Sequence, residues 1–224
     1  MKHSFEGKSP DFSSPAAIPG QGPARPEQLR QVNASEVLRL LRLHTPCSCA
    51  DLVRFSGLSA PTVSSTVEYL SRRGLVEHIG RGASSGGRPP QLLRFNDTFG
   101  YVIGVDIGGT TVRVALADLN GKIIDKVALE LGKKSAPKQV VALIMNQIRR
   151  LERDRRVPRK KLLAIAAGAP GITDMRSGVV LSAPNLACGN KVPLRQMLEE
   201  SARVPVSVEN DVNLGALGES QPGF

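Results

Sequence analysis

The chain has 224 residues, enough for one large domain or two small ones, and no apolar run in it is long enough to span a membrane. Its 30 Lys and Arg residues outnumber its 20 Asp and Glu residues, and the net charge of +10 favours a polyanionic partner such as nucleic acid. The first residues lack the apolar core of a secretory signal, so we expect a cytoplasmic protein that does not associate with a membrane.

Three cysteines, Cys47, Cys49 and Cys188, are too few for a disulfide framework or a four-ligand zinc site, which agrees with a reducing compartment. The Cys47-x-Cys49 pair has the donors to clip a metal, but small buried residues at a helix start are the favoured interpretation, and we predict no metal site.

Residues 1–31 are rich in Pro, Gly and Ser and are predicted to form a disordered arm. From Ala34 onward an apolar stripe predicts a helix; its members are Val37, Leu38, Leu40, Leu41 and Leu43.

Two further helices follow in the sequence. The first begins at Ser48, with Asp51 completing an imperfect capping box, and ends at Gly57; its predicted buried face is Leu52, Val53 and Phe55. The second is capped by Ser59, has Pro61 in its first turn and stops at Gly74. Two such helices joined by a short turn form a helix-turn-helix.

The front of the second of these helices carries small hydroxyl residues that can bind phosphates or base edges: Ser59, Thr62, Ser64, Ser65 and, less clearly, Thr66. The alternative is a helical hairpin that contacts protein. Two predicted strands, 75–79 and 91–95, enclose a Gly-rich cationic wing that contains Arg81 and Arg88. Its Gly87-Arg88-Pro89 resembles the core of an AT-hook, in which Arg enters a narrow minor groove. We therefore predict a winged helix-turn-helix DNA-binding domain over residues 32–96.

From Tyr101 the pattern is α/β. The predicted strands are 101–107, 112–118, 122–131, 162–169, 179–181 and 205–208, and the predicted helices are 137–153, 193–202 and 211–219. Residues 1–95 hold 12 basic and 7 acidic side chains, and residues 96–224 hold 18 and 13. Much of the second excess lies around one helix end, in Arg149, Arg150, Arg153, Arg155, Arg156, Arg159, Lys160 and Lys161. We interpret that run as a solvated helix terminus, with nucleic-acid contact as the alternative.

Three motifs in the α/β part carry candidate chemistry. The first, Asp106-Ile107-Gly108-Gly109-Thr110-Thr111, presents N–H groups and hydroxyls to a phosphate, and Asp106 could hold Mg²⁺. The alternative is a purely structural hairpin. The second motif combines Gly168-Ala169-Pro170-Gly171 with Ala183-Pro184-Asn185-Leu186, and both stretches follow predicted strands, where open α/β sheets bind ligands.

The third motif runs from Glu209 to Glu219. Asp211 could accept a proton from a sugar hydroxyl and Asn210 could fix that hydroxyl, although helix capping explains either residue singly.

The chain carries, in this order, the wing, Gly-Val-Asp-Ile-Gly-Gly-Thr, Gly-Ala-Pro-Gly, Ala-Pro-Asn-Leu and Glu-Asn-Asp-Val-Asn. This combination resembles the ROK family of repressors and sugar kinases over roughly residues 33–220. The resemblance implies an actin/hexokinase-like domain, of which 97–224 would be the first lobe. It implies that Asp106, Gly108, Gly109 and Thr110 face phosphates. It also implies that Gly171, Asn185, Asn210 and Asp211 line a sugar pocket, with Asp211 as the catalytic base in kinase members.

The chain departs from the family pattern after Glu-Asn-Asp. The second lobe, with its Gly-His sugar contact, Cys-rich zinc motif and adenosine pocket, has no counterpart here, and Ala187-Cys188-Gly189-Asn190 replaces the usual aromatic residue. We accordingly expect a truncated domain without the family zinc site.

The sequence thus predicts a DNA-binding transcriptional regulator, a repressor, of carbohydrate metabolism. It would respond to a sugar or sugar phosphate, bind a double-stranded operator, and form a homo-oligomer when full length. The alternative is an ATP- and Mg-dependent sugar kinase with a fused DNA-binding domain, inactive as truncated. A nonfunctional remnant is the third possibility.

Overall fold

The computed structural model describes residues 26–83, 89–132, 135–183 and 191–219, and within those ranges no helix is long and apolar enough to cross a membrane. The N-terminal region contains, in chain order, α1 (Pro26–Leu43), β1 (Cys47–Ser48), α2 (Cys49–Ser56), α3 (Ala60–Arg72), β2 (Val76–Arg81) and β3 (Gln91–Phe95). Its antiparallel sheet has the order β1-β3-β2. These elements form a winged helix-turn-helix, as predicted.

Local sequence signals set the ends of α2. The backbone N–H of Ser48 donates to the Asp51 carboxylate at 2.9 Å, while the Asp51 N–H donates to the Ser48 hydroxyl at 3.2 Å. The capping box is therefore complete although Asp is shorter than the usual Glu. Gly57 ends the helix at φ 68°, in the left-handed region that glycine adopts without strain.

Three expectations about this region are wrong. Helix α1 begins at Pro26, so residues 26–31 are not part of a disordered arm; this segment consists of good helix formers behind a first-turn proline. Leu43 is 61% exposed because it lies at the last turn of α1, beyond the core. Phe55 is 38% exposed, since its ring packs on the imidazole of His44, with centroids 4.3 Å apart, outside the core.

The C-terminal region is an α/β lobe. Its elements are β4 (Tyr101–Ile107), β5 (Thr111–Asp118), β6 (Ile123–Glu130), α4 (Pro137–Asp154), β7 (Leu162–Ala169), β8 (Ile172–Asp174), β9 (Val179–Ser182), α5 (Leu194–Ala202), β10 (Val206–Asn210) and α6 (Asp211–Glu219). A short 3₁₀ helix, Arg159–Lys161, precedes β7. The main sheet has the order β10-β7-β4-β5-β6. Strands β10, β7 and β4 pair in parallel, whereas β5 pairs antiparallel with both β4 and β6.

The two faces of this sheet differ. One face carries branched side chains such as Val105 and Val114, which form a single core with Ile144 and Ile148 of α4 and Leu198 of α5. The opposite face carries small residues and polar side chains at the alternate positions of the same strands, as the two-residue period of a strand requires.

The two regions are joined where β4 and β7 begin. The N–H of Leu119 donates to the Asp97 carbonyl at 3.1 Å, and the Asn120 amide donates to the Asp97 carboxylate at 3.2 Å. Leu119 also packs against the winged-helix core, and the ammonium group of Lys161 donates to the Thr98 carbonyl at 3.0 Å. The turn between β5 and β6 therefore contacts the winged helix directly.

Candidate functional site

The predicted phosphate loop is the turn between β4 and β5. The Gly108 N–H donates to the Thr111 carbonyl at 2.8 Å and is thus engaged by the hairpin itself. Gly109 and Thr110 are exposed, and among the described residues their N–H groups donate to no backbone carbonyl. Of the predicted phosphate-binding residues, Gly109 and Thr110 are the ones that present backbone donors to a ligand.

Asp106, the predicted magnesium ligand, is paired. Its carboxylate accepts from the Arg113 guanidinium at 2.8 Å, and the two residues face each other across the hairpin in the β4–β5 register. The guanidinium engages only the Oδ2 atom, and the second carboxylate oxygen of Asp106 has no hydrogen-bond partner among the described residues, so it remains available to a cation. Among the described residues, no three His, Cys, Asp or Glu side chains are grouped so as to hold a metal ion.

Arg113 was missed by the sequence analysis. The sequence contained a signal for this ion pair, because Asp106 and Arg113 lie symmetrically about the Gly-Gly-Thr turn. An antiparallel hairpin places such positions opposite one another.

A depression of about 560 Å³ extends from this ion pair across the small-residue face of the sheet. Its floor includes Gly104 and Ala166, Lys126 lies on one side, and Leu214 of α6 lies on the other. The depression therefore connects the hairpin with the helix that carries the third predicted motif.

The predicted sugar-binding residues Gly171 and Asn210 are brought together by the structure. Strands β7 and β10 are neighbours, with Ala169 opposite Asn210, and the Asn210 amide donates to the Gly171 carbonyl at 2.7 Å. Gly171 has φ 88°, and a Cβ there would lie 2.0 Å from the Ser182 carbonyl oxygen. Only glycine fits this position, which fixes the course of the loop beside Asn210.

Asn210 and Asp211 also cap α6, as the alternative interpretation held. The Asn210 side-chain oxygen accepts from the N–H groups of Val212 and Asn213 at 2.9 and 3.3 Å. The Val212 N–H also donates to one Asp211 oxygen at 2.9 Å. The second Asp211 oxygen has no hydrogen-bond partner among the described residues, and Asp211 is half-buried. That oxygen is therefore available to a ligand hydroxyl.

Gly168 allows α6 to approach the sheet. A Cβ on Gly168 would lie 3.2 Å from a Leu214 methyl group and 3.5 Å from the Cα of Asp211. The predicted sugar residue Asn185 lies outside the described residues.

The predicted recognition helix is α3. The Ser59 hydroxyl caps it and lies 2.8 Å from the Thr62 hydroxyl, while the Ser65 hydroxyl donates to the Thr62 carbonyl at 3.0 Å. Ser64 is exposed and has no hydrogen-bond partner among the described residues. Thr66, by contrast, is only 4% exposed and packs inward, so its proposed exposure is wrong: it lies one turn before Leu70 on the buried stripe.

The wing is formed by β2 and β3, with Arg81 exposed at the end of β2 opposite Gln91. Its tip, residues 84–88, which includes Arg88, lies outside the described residues.

The two N-terminal cysteines are packing residues. Cys47 is 4% exposed, and burial raises the pKa of its thiol to about 11. Burial also raises the pKa of the Cys49 thiol. Cys47 belongs to the winged-helix core, and Cys49 packs against that core.

With this geometry established, comparison with known proteins identifies the lobe. A protein-family model described as the ROK family matches residues 102–223, more than half of the chain. The chain belongs to the ROK family. Residues 31–85 of this ROK protein match a second model, described as the MarR family.

Individual relatives agree with both matches. The xylose repressor of Caldicellulosiruptor bescii is 32% identical over 191 residues, which cover 85% of this chain and 48% of the relative. The glucokinase of Halalkalibacterium halodurans is 32% identical over 123 residues, 55% of this chain and 37% of that enzyme. The chain therefore spans about half the length of the repressor that it matches.

Among solved structures, the fold matches a crystal structure of a ROK family transcriptional regulator, a homologue of the Escherichia coli Mlc protein. The TM-score is 0.70 at 23% identity, over 85% of this chain and 48% of that one.

Proposed function

We propose that this ROK protein is a DNA-binding transcriptional repressor of carbohydrate metabolism, and that its α/β lobe responds to a sugar or sugar phosphate. The observation that carries the proposal is the direct junction between a winged helix-turn-helix and a ROK lobe: Leu119 of the lobe packs against the winged-helix core, and Asn120 bonds Asp97 in the segment that connects the two regions. The similarity to a xylose repressor along both regions supports it.

DNA binding would use α3 in the major groove, with the exposed Ser59, Ser64 and Ser65 and the half-buried Thr62 at its front. The wing arginines Arg81 and Arg88 would enter the adjacent minor groove. Small hydroxyl side chains allow the helix to approach the duplex closely. They provide little direct base recognition, so the cationic wing would supply much of the preference for A·T-rich DNA.

Sugar binding would occur at the carboxyl ends of β7 and β10, where Gly171, Asn210 and Asp211 meet. Strands β4 and β5 run from that end of the sheet to the junction with the winged helix. A ligand that prefers one arrangement of the lobe would shift the population of states and thereby the position of α3. In a two-fold oligomer, such a shift changes the spacing of paired recognition helices and with it operator affinity.

Replacing Arg88 with Ala tests the wing assignment. We expect a loss of about 1–3 kcal/mol in the free energy of binding to an A·T-rich duplex, the scale of a specific contact. A gel-shift titration at fixed salt measures it. Arg176→Ala is the matched control, because Arg176 is an exposed cation of the α/β lobe, in the turn between β8 and β9. Equal binding by wild type and Arg88→Ala would show that the wing does not contribute to DNA binding.

A sugar kinase is the second candidate, favoured by the similarity to a glucokinase and by the unbonded carboxylate oxygen of Asp211, the base that the family resemblance implies. The similarity to xylose repressors over 85% of the chain, against 55% for the glucokinase, favours the first candidate over the kinase. We expect no sugar phosphate when the purified chain is incubated with ATP, Mg²⁺ and a panel of hexoses. Turnover that Asp211→Asn abolishes would establish the kinase instead.

A further inference from the structure

The strongest charged feature outside the sites described above is a basic cluster at the end of α4. Residues 149–161 contain eight Arg and Lys side chains, which extend from the last turns of α4 through the 3₁₀ helix. We infer that this cluster binds the phosphate backbone of duplex DNA that flanks the site contacted by the winged helix. The inference rests on the proposed DNA-binding function and adds a second contact surface to it.

The local carboxylates account for only part of the cluster. Arg155 pairs with Asp125 at 2.9 Å, and Arg159 pairs with the buried Glu152 at 2.6 Å. Arg150 and Arg153 share a single carboxylate, that of Asp154, at 3.4 and 3.7 Å.

Three members of the cluster are exposed and have no carboxylate partner among the described residues: Arg149, Arg156 and Lys160. Arg149 reaches the neutral Asn146 side chain at 3.5 Å.

The helix dipole does not explain these three cations. Its effect is confined to the last turn of a helix, and Arg153 is the basic residue that the last turn of α4 contains. Arg149 precedes that turn, Arg156 has left the helix with φ 53°, and Lys160 belongs to the separate 3₁₀ helix. Cations that neither a helix terminus nor a carboxylate neutralises leave this surface with excess positive charge, which attracts a polyanion.

Position favours DNA as that polyanion. Lys161, the last member of the cluster, donates to the Thr98 carbonyl in the segment that connects the winged helix to β4. Arg155 is tied to Asp125 in β6, directly after the turn that contacts Asp97. The cluster therefore lies on the edge of the lobe to which the DNA-binding region is attached, where a duplex longer than the winged-helix site would pass.

The test compares two duplexes of the same A·T-rich sequence, one of about 15 and one of about 40 base pairs, so that only the longer one extends well beyond one recognition helix. The cluster variant carries Arg149→Gln, Arg156→Gln and Lys160→Gln. The control carries Lys138→Gln, Arg176→Gln and Lys191→Gln, an equal loss of exposed charge with Lys138 at the far end of the same helix. Dissociation constants are measured for the 224-residue chain at several salt concentrations.

We expect all three proteins to bind the short duplex equally, which also shows that the cluster variant is folded. On the long duplex, the cluster variant should bind more weakly by on the order of tenfold or more, with a salt dependence reduced by about one per lost phosphate contact. The control should match wild type on both duplexes.

Equal binding of the long duplex by the cluster variant and wild type overturns the inference. So does an equal loss in the control, which would make the effect one of net charge alone. If the DNA affinity is unchanged but binding to vesicles of anionic phospholipid is lost, the cluster belongs to a membrane surface instead. Failure of wild type to bind either duplex would contradict the proposed function itself, a result distinct from all of these.

Discussion

The winged helix and the α/β lobe bury their apolar side chains in different ways. In the winged helix, α1, α2, α3 and the small sheet all contribute to one enclosed core, with Leu41, Leu52 and Leu70 almost fully buried. In the lobe, α4 and α5 cover one face of the sheet, while the other carries Gly104, Ala166 and the depression beside Asp106. A binding site needs such accessible surface, whereas a DNA-recognition helix needs a rigid support behind it.

Separating the two regions should show this contrast most strongly. We expect residues 26–96 to fold as a soluble domain, because every buried residue of their core belongs to their own elements and the lobe adds only the partly buried Leu119. Residues 97–224 should aggregate or bind chaperones, since strands β6 and β10 are sheet edges and Ile123 on β6 is 50% exposed. Expression of each piece, followed by size-exclusion chromatography and thermal melting, tests the comparison. A monomeric 97–224 fragment that melts cooperatively and binds a hexose would show that the lobe is a self-sufficient sensor.

Within the lobe, Gly171→Ala should cost at least about 2 kcal/mol of the free energy of unfolding, since it adds a left-handed alanine to a backbone collision with Ser182. Gly104→Ala in β4 is the control, because a Cβ there would meet nothing within 4 Å. The shift of the urea midpoint measures both. Similar midpoints for the two variants would mean that the Gly171 loop is free to move away from Asn210.

In the winged helix, the expected effect is smaller and depends on pH. Ser48→Ala should cost about 1 kcal/mol, the usual value of a helix cap. Hydrogen bonds from Ser48 lower the pKa of Asp51, so its stabilising contribution is present above the unfolded-state pKa and is lost as the pH falls through the folded-state pKa. The difference in stability between wild type and Asp51→Asn should therefore shrink on acidification below pH about 4. Urea unfolding at several pH values measures it, and a difference that grows in acid would contradict the assignment.

Sequence patterns predicted the elements that depend on local signals. Strand β4 and strand β7 were predicted with the observed bounds, Tyr101–Ile107 and Leu162–Ala169, because alternating or continuous apolar residues lie between clear turn signals. Strand β1 was missed, since its two residues form a strand only by pairing with Leu92 and Leu93. The N-terminal extension of α1 was missed because the apolar stripe begins eight residues after the helix does.

The contacts of the candidate site also divide into local ones, which the sequence predicted, and long-range ones, which it did not. The caps at Ser48 and Asn210 were visible in the sequence because capping acts over three residues. The bond from Asn210 to Gly171 joins residues 39 apart, and only the adjacency of β7 and β10 creates it. The family resemblance had placed both residues in one pocket, but it gave no sign that Arg113 would pair with Asp106.

The central claim is that the winged helix of this ROK protein binds DNA at preferred sequences, and selection of duplexes from a randomised pool tests it most directly. We predict that the wild-type chain enriches a defined A·T-rich class of sequences, and that Arg81→Ala with Arg88→Ala reduces the enrichment by weakening minor-groove contacts. An unselected pool after repeated rounds with the wild-type chain, or the same enriched class with the double variant, would contradict the account.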